Sequence, residues 1–247
     1  YPFFFRLQRW LLRSGICRCE VTVNGTWQSQ GSHIHSFYNP CLTNADLLDA
    51  ADAVNAKKLE PPYRILFVGR LEAAKGVDSI IQIAAEMKKR DYQFEILLVG
   101  DGPERCLYEQ QVAALQLVDH VKFLGWIPKT ELGEYYRNAH FILLPSKSEG
   151  WPKVLSEAMA YGAVVIASNV SSIPQILKKT NSGEVVEVGN ILGFVDAIIR
   201  RIENPKLWEE QSKSGAKAAC LASYESYLNN LKQLFLTAWG INLEQVK

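Results

Sequence analysis

Two loops hold most of the side chains that could do chemistry. In Gly69-Arg70-Leu71-Glu72-Ala73-Ala74-Lys75-Gly76, Arg70 follows a glycine at once and Lys75 stands close to the expected start of a helix. Two cations beside free helical amides suit a diphosphate, because each favours phosphate oxygens. A solvated, charged turn has the same composition, and this loop alone does not separate the two. In the second loop, Glu149-Gly150-Trp151-Pro152 leads into Lys153-Val154-Leu155-Ser156-Glu157. Pro152 can open a helix, which places Glu149 just before it and Glu157 about a turn and a half inside. Both carboxylates can then face one cleft at different depths. A carboxylate accepts from vicinal hydroxyls, and a helix N-terminus favours phosphate. Glutamates on an ordinary helix face solvent; the Gly-Trp-Pro context sets this pair apart. A third loop, Gly100-Asp101-Gly102-Pro103-Glu104, makes a sharp turn near a ligand but is not the GxGxxG fingerprint, so a nicotinamide cofactor is poorly supported.

These loops need elements to hold them. From residue 63 onward, short apolar runs at 64–68, 94–99, 121–124, 141–144, 164–167 and 184–188 alternate with stretches of helical period. Those stretches are 77–89, 104–115, 129–138, 153–161 and 173–178, followed by 191–203, 205–219 and 224–239. Runs such as ILFV and FILL are apolar at every position, as expected of parallel strands covered on both faces. The expected fold is therefore α/β, a Rossmann-like parallel sheet with helices on both faces. Its ligands belong beyond the carboxyl ends of the strands, where the three loops lie. Residues 1–60 differ: a helix-like opening, two strand-like pieces at 20–23 and 33–37, then a polar Ala/Asp-rich stretch ending in Pro61-Pro62, a step that reads as a linker into the domain that follows. That is too little to bury a core of its own.

Composition narrows the function class. Of 247 residues 48% are apolar, and 27 Lys+Arg against 26 Asp+Glu leave a net charge of +1. A nucleic-acid partner is disfavoured, since binding a phosphate backbone usually needs a basic excess. Five cysteines without a CxxC pair suggest free thiols in a reducing, cytoplasmic setting. Cys17-x-Cys19 and His33-x-His35 could be imagined as a metal set, but strand alternation explains both, and no metal is expected. His33, His35, His120 and His140 lack motif context and read as structural or surface residues. The opening YPFFFRLQRWLLRSG, interrupted by Arg6, Arg9 and Arg13, is too short and charged to span a membrane. It suits an amphipathic helix packed on a partner, or a peripheral contact with the inner face of an anionic bilayer.

GRLEAAKG, GDGPE, FLGWIP, SEGWPKVLSEAMAYG with its Glu-x7-Glu spacing, and VVIAS stand in the order found in glycosyltransferase family 4. The chain resembles the C-terminal donor-binding domain of these retaining GT-B enzymes over residues 63–227. The resemblance implies a nucleotide-diphospho-sugar donor such as a UDP- or GDP-sugar, with no metal and no other cofactor. Arg70 and Lys75 would meet the diphosphate after Gly69, and Glu149 the sugar hydroxyls. The backbone of Gly150, Trp151, Pro152, Lys153 and Val154, leading into Leu155, would surround sugar and phosphates. Glu157 would hold the ribose, and the backbone near Trp126 and Ile127 the base. Trp151 stands where such enzymes commonly carry Phe. The segment Ser171-Ser172-Ile173-Pro174-Gln175 departs from the family, which often has Gly-Gly and an acid there.

The implied organisation is a remnant of an acceptor-binding domain with its linker (1–62), a donor domain (63–222) and a helix returning towards the first domain (223–247). Most of the acceptor domain, about 100–150 residues, would lie upstream, with the acceptor groove and the base that activates the acceptor. The implied reaction is glycosyl transfer with retention to a glycan, lipid or small-molecule acceptor, the leaving diphosphate being stabilised electrostatically. A non-catalytic nucleotide-sugar-binding subunit is the alternative. A sugar-nucleotide epimerase is a weaker one, against which the Glu-x7-Glu block argues.

Overall fold

The computed structural model describes residues 3–16, 18–27 and 29–243, so Cys17 lies outside the described residues. In chain order the helices are α1 (Phe3–Ser14), α2 (Asn44–Ala56), α3 (Val77–Lys89), α4 (Arg105–Ala114), α5 (Lys129–Asn138), α6 (Lys153–Ala160), α7 (Ile173–Thr180), α8 (Ile191–Glu203), α9 (Pro205–Ala219) and α10 (Tyr224–Trp239). Strands β1 (Val21–Asn24) and β2 (Ile34–Phe37) form a parallel pair. The six others, β3 (Tyr63–Val68), β4 (Phe94–Val99), β5 (Val121–Gly125), β6 (Phe141–Leu144), β7 (Val164–Ser168) and β8 (Gly183–Val186), make one sheet ordered β5-β4-β3-β6-β7-β8. Every pairing in it is parallel.

Burial follows position in the sheet. All residues of β6 and β7 are buried, as are Ile65, Leu66 and Phe67 in β3, whereas β5 and β8 at the edges are only partly covered. Uninterrupted apolar runs thus form the centre of the sheet, between layers of helices. Strand order reverses between β3 and β6. In open α/β sheets, crossovers on either side of such a point leave in opposite directions and ligands bind beyond the carboxyl ends of the strands there. The loop of Arg70 and Lys75 follows β3, and the loop of Glu149 follows β6.

The two loops meet without side-chain spacers. Gly76 has φ of +73°, and a Cβ there would stand 2.2 Å from the Pro145 carbonyl oxygen. The Lys147 amide donates to the Ala74 carbonyl at 2.9 Å, and the Ser146 hydroxyl to the Lys75 carbonyl at 3.4 Å.

The Ala/Asp-rich stretch forms helix α2. Thr43 and Asp46 form a reciprocal capping box at the start of α2, and Ala50 and Ala53 are buried in the main core. A helix that buries only alanine has little apolar periodicity, but its small side chains allow a close approach to the helices of the main domain. The chain enters and leaves that domain side by side: the Cys41 amide donates to Ala222 O at 2.9 Å and the Tyr224 amide to Leu42 O at 2.9 Å. Helix α10 then runs against β2, with the Phe37 and Tyr227 rings 5.4 Å apart. No residue of α1 is buried; Arg9 lies 4.8 Å from the Trp27 ring centroid.

Beyond the end of α2, the Lys57 ammonium donates to the carbonyls of Tyr136 (3.0 Å) and Ala139 (2.6 Å). Burial, reinforced by the charge of Arg137, lowers its pKa from 10.5 to about 7. Between those values the unfolded chain holds one proton more at this site than the folded chain, so stability rises with pH across the window and is flat outside it. Urea unfolding of the wild type and Lys57→Met should therefore differ in slope between pH 7.5 and 9.5, with the smaller rise in the variant; parallel curves would contradict this burial. Gly76→Ala adds a side chain in a left-handed conformation against a carbonyl, at a cost of about 1–3 kcal/mol or more. Thermal unfolding should fall by several degrees, whereas Gly150→Ala, where a Cβ meets nothing within 4 Å, should leave it unchanged.

Candidate functional site

The loops after β3, β4 and β5 are laced together by their backbones. The Leu71 amide donates to Asp101 O at 3.0 Å, and the Gly100 amide to Gly125 O at 2.7 Å. Gly100 (φ +127°) leaves no room for a side chain, since a Cβ would lie 2.0 Å from the Gly69 carbonyl oxygen. Leu71, fully buried, anchors the first loop beneath Arg70.

These loops and α6 enclose a cleft of about 540 Å³. Its walls include Gly69, Arg70, Trp126, Ile127 and Glu157, five of the residues singled out in the sequence, together with Gly100, Asp101 and Lys129. Trp126 is 75% exposed and offers a broad apolar face at the rim. The Arg70 guanidinium is also open to solvent, with one contact to Glu72 at 3.2 Å. An exposed pair of this kind holds weakly, so the guanidinium can turn to an anion.

Glu157 is built in from several directions. The Tyr136 hydroxyl donates to its Oε2 at 2.9 Å, and Lys129 Nζ lies 3.8 Å from its Oε1. Burial and the neighbouring carboxylate push the Tyr136 pKa well above its usual value, so the phenol remains a donor. Lys129 also donates to the Cys41 carbonyl at 2.5 Å, and the buried Cys41 thiol reaches the Lys153 carbonyl at 3.7 Å. Desolvation, with Glu157 nearby, pushes that thiol up to about 12, so it stays neutral. Tyr136, Lys129 and Cys41 carry no motif; tertiary packing alone brings them to Glu157.

Glu149 does not line this cleft. Its Oε1 takes a 2.7 Å bond from Lys75 Nζ, with the carboxylate side chain 9% exposed and the ammonium side chain 27%. The two cations of the first loop are thus divided, Arg70 at the cleft wall and Lys75 on Glu149. Pro152 caps α6 without any side-chain bond, so the first amides of that helix have no side-chain acceptor. Trp151 turns inward and donates from its indole to Ser156 Oγ at 2.8 Å, which fixes the loop from beneath. Leu155 is fully buried in the core, Lys153 is exposed and Val154 is half-buried.

The histidines have structural partners. His35 pairs with Glu20 at 2.6 Å, His33 meets Leu12 O at 2.9 Å, and His120 stacks on Phe94. His140 accepts from the Arg64 amide at 2.9 Å, and burial lowers its pKa to about 4. Among the described residues no helix is long and apolar enough to cross a membrane.

The family model for group 1 glycosyl transferases matches residues 50–218. The chain is 30% identical over 194 residues to a phosphatidyl-myo-inositol mannosyltransferase of Mycobacterium leprae, a match covering 78% of this chain and 51% of that protein. Sucrose-phosphate synthase of Thermosynechococcus elongatus superposes with a TM-score of 0.73 at 25% identity, over 95% of this chain and 61% of that one. Anabaena HepE, solved in complex with UDP, superposes at 0.67 and 19% identity, over 83% of this chain and 57% of that one. The chain spans about two fifths to one half of the length of the curated relatives it matches. Its fold is that of the GT-B glycosyltransferases. With more than half of its residues inside that family model, the chain belongs to the group 1 glycosyl transferases.

Proposed function

We propose that the chain is the donor-binding part of a retaining hexosyltransferase that takes its sugar from a nucleoside diphosphate. The observation that carries this reading is the cleft beyond the ends of β3, β4 and β5, where Gly69, Arg70, Trp126, Ile127 and Glu157 share one wall system. The UDP held by the HepE neighbour supports a nucleotide in such a fold. The base lies along Trp126 and Ile127, and Glu157, steadied by Tyr136, accepts from the ribose hydroxyls. The diphosphate is met by Arg70, Lys75 and the backbone amides of Gly150, Trp151, Lys153 and Val154 around the start of α6.

In transfer, the bond from the anomeric carbon to the diphosphate oxygen breaks and the acceptor oxygen takes its place. Negative charge grows on the leaving diphosphate, and preorganised cations and amides stabilise it most where water is excluded. In the free protein Lys75 and Glu149 satisfy one another. An arriving diphosphate competes for the ammonium, and the carboxylate released from it becomes an acceptor for sugar hydroxyls. The pair is thereby a resting state of two donor-binding groups.

That exchange predicts opposite signs for two substitutions. Glu157→Ala should weaken UDP or GDP affinity about tenfold or more, a loss of about 1.4 kcal/mol or more, near the lower end of the range for a hydrogen bond to a charged group. Glu149→Gln should leave nucleoside diphosphate affinity equal or higher, because it frees Lys75, while lowering sugar transfer. Titration calorimetry and a transfer assay with labelled UDP- and GDP-sugars separate the two. Unchanged affinity and turnover in both variants would refute the assignment.

A further inference from the structure

The segment after β7 departs from the family pattern, and its side chains have definite partners. Ser171 takes φ of +52°, a conformation that disfavours a side chain and persists only when its surroundings hold it. Ser172, 8% exposed, donates from its hydroxyl to the Gly150 carbonyl at 3.2 Å. The same side chain rests on the turn after β1, where Gly25 has φ of +85° and a Cβ would lie 2.9 Å from Ser172 Cβ. One residue on, the Thr26 amide donates to Gln175 Oε1 at 3.1 Å. The turn of the N-terminal segment is thus fastened to the loop after β7, and that loop to the carbonyl of Gly150, directly ahead of α6.

We propose that Ser172 and Gln175 are positioning residues, a clasp through which the seating of the N-terminal turn at Gly25–Thr26 sets the conformation of the Gly150 loop and so the fit of the donor sugar. The turn grips Gln175, Ser172 is packed between the turn and the loop, and the Gly150 peptide is oriented by Ser172. A family-like acid at position 175 could also accept from the Thr26 amide. A Gly-Gly pair at 171–172 could supply neither the hydroxyl for Gly150 nor the packing against Gly25. The effect on the sugar rests on the donor reading above; the clasp itself does not.

Hydrogen–deuterium exchange on the chain, comparing wild type, Gln175→Ala, Gln175→Glu and Ser172→Ala, tests the clasp without ligand. Gln175→Ala should raise exchange in peptides spanning 22–30 and also 146–156. Ser172→Ala should raise it in 146–156, and Gln175→Glu should match wild type at an unchanged thermal midpoint. Wild-type protection of 146–156 in Gln175→Ala would overturn the coupling. Titration with UDP, GDP, UDP-glucose and GDP-mannose then tests the consequence. Gln175→Ala should lower affinity for the preferred nucleotide sugar about threefold or more while leaving the matching diphosphate within about twofold. Equal losses for both would overturn the sugar-specific role. If wild type binds none of the four, the donor reading fails, and the exchange result still decides the clasp.

Discussion

Gly76 and Pro145 touch backbone to backbone at the point where the strand order reverses, and the geometry of the site depends on that approach. A Cβ at residue 76 would stand 2.2 Å from a carbonyl oxygen, so no other residue type allows the loop after β3 and the loop after β6 to lie this close. Their closeness puts Lys75 within 2.7 Å of Glu149. It also fixes where α6 begins, since Lys147 is hydrogen-bonded to Ala74 and Pro152 follows a few residues later. The same device recurs one strand away, where Gly100 admits the Gly69 carbonyl. Backbone contacts of this kind cannot relax by a rotamer change, so the loops form a rigid floor for whatever enters the cleft.

On that floor the charges fall into two sets. Glu157 is held by a buried phenol and a nearby lysine and presents a fixed carboxylate. Lys75 and Glu149 instead hold one another and can be separated by a competing anion. A fixed acceptor suits a group common to every substrate of one donor class. An exchangeable pair suits the reacting end, where charge develops and leaves. The clasp of Ser172 and Gln175 adds a third input, from the N-terminal segment to the loop between those two sets.

Strands β3 to β8 and helices α3 to α10 were legible because each carries a strong period: continuous apolar runs for strands buried on both faces, amphipathic stretches for the helices between. Helix α2 was not legible, because its fully buried residues are Ala50 and Ala53, and Leu48 faces solvent, so its apolar residues do not form one clear face. The loops of the site were legible as motifs in order, down to Arg70, Lys75, Glu149 and Glu157. Their pairings were not. The spacing of the two glutamates allows one cleft, yet only Glu157 lines it, because Glu149 sits in a loop whose direction is set by its contact with the β3 loop. Tyr136 and Lys129 come to Glu157 from α5 and Cys41 from the segment before α2, and no local pattern marks such a convergence. The Gly25–Ser172 contact crosses most of the chain and is equally silent in sequence.

The central claim is that the place where the β3 and β6 loops meet, at Lys75 and Glu149, is a diphosphate site. Calorimetric titration of uridine and guanosine against UDP and GDP, on wild type and Lys75→Ala, tests it most directly. The account predicts that a diphosphate binds at least about tenfold tighter than its nucleoside, a difference of about 1.4 kcal/mol, and that Lys75→Ala removes much of that gap while leaving the nucleoside unchanged. Equal affinity for nucleoside and diphosphate, or a gap unaltered in Lys75→Ala, would contradict it.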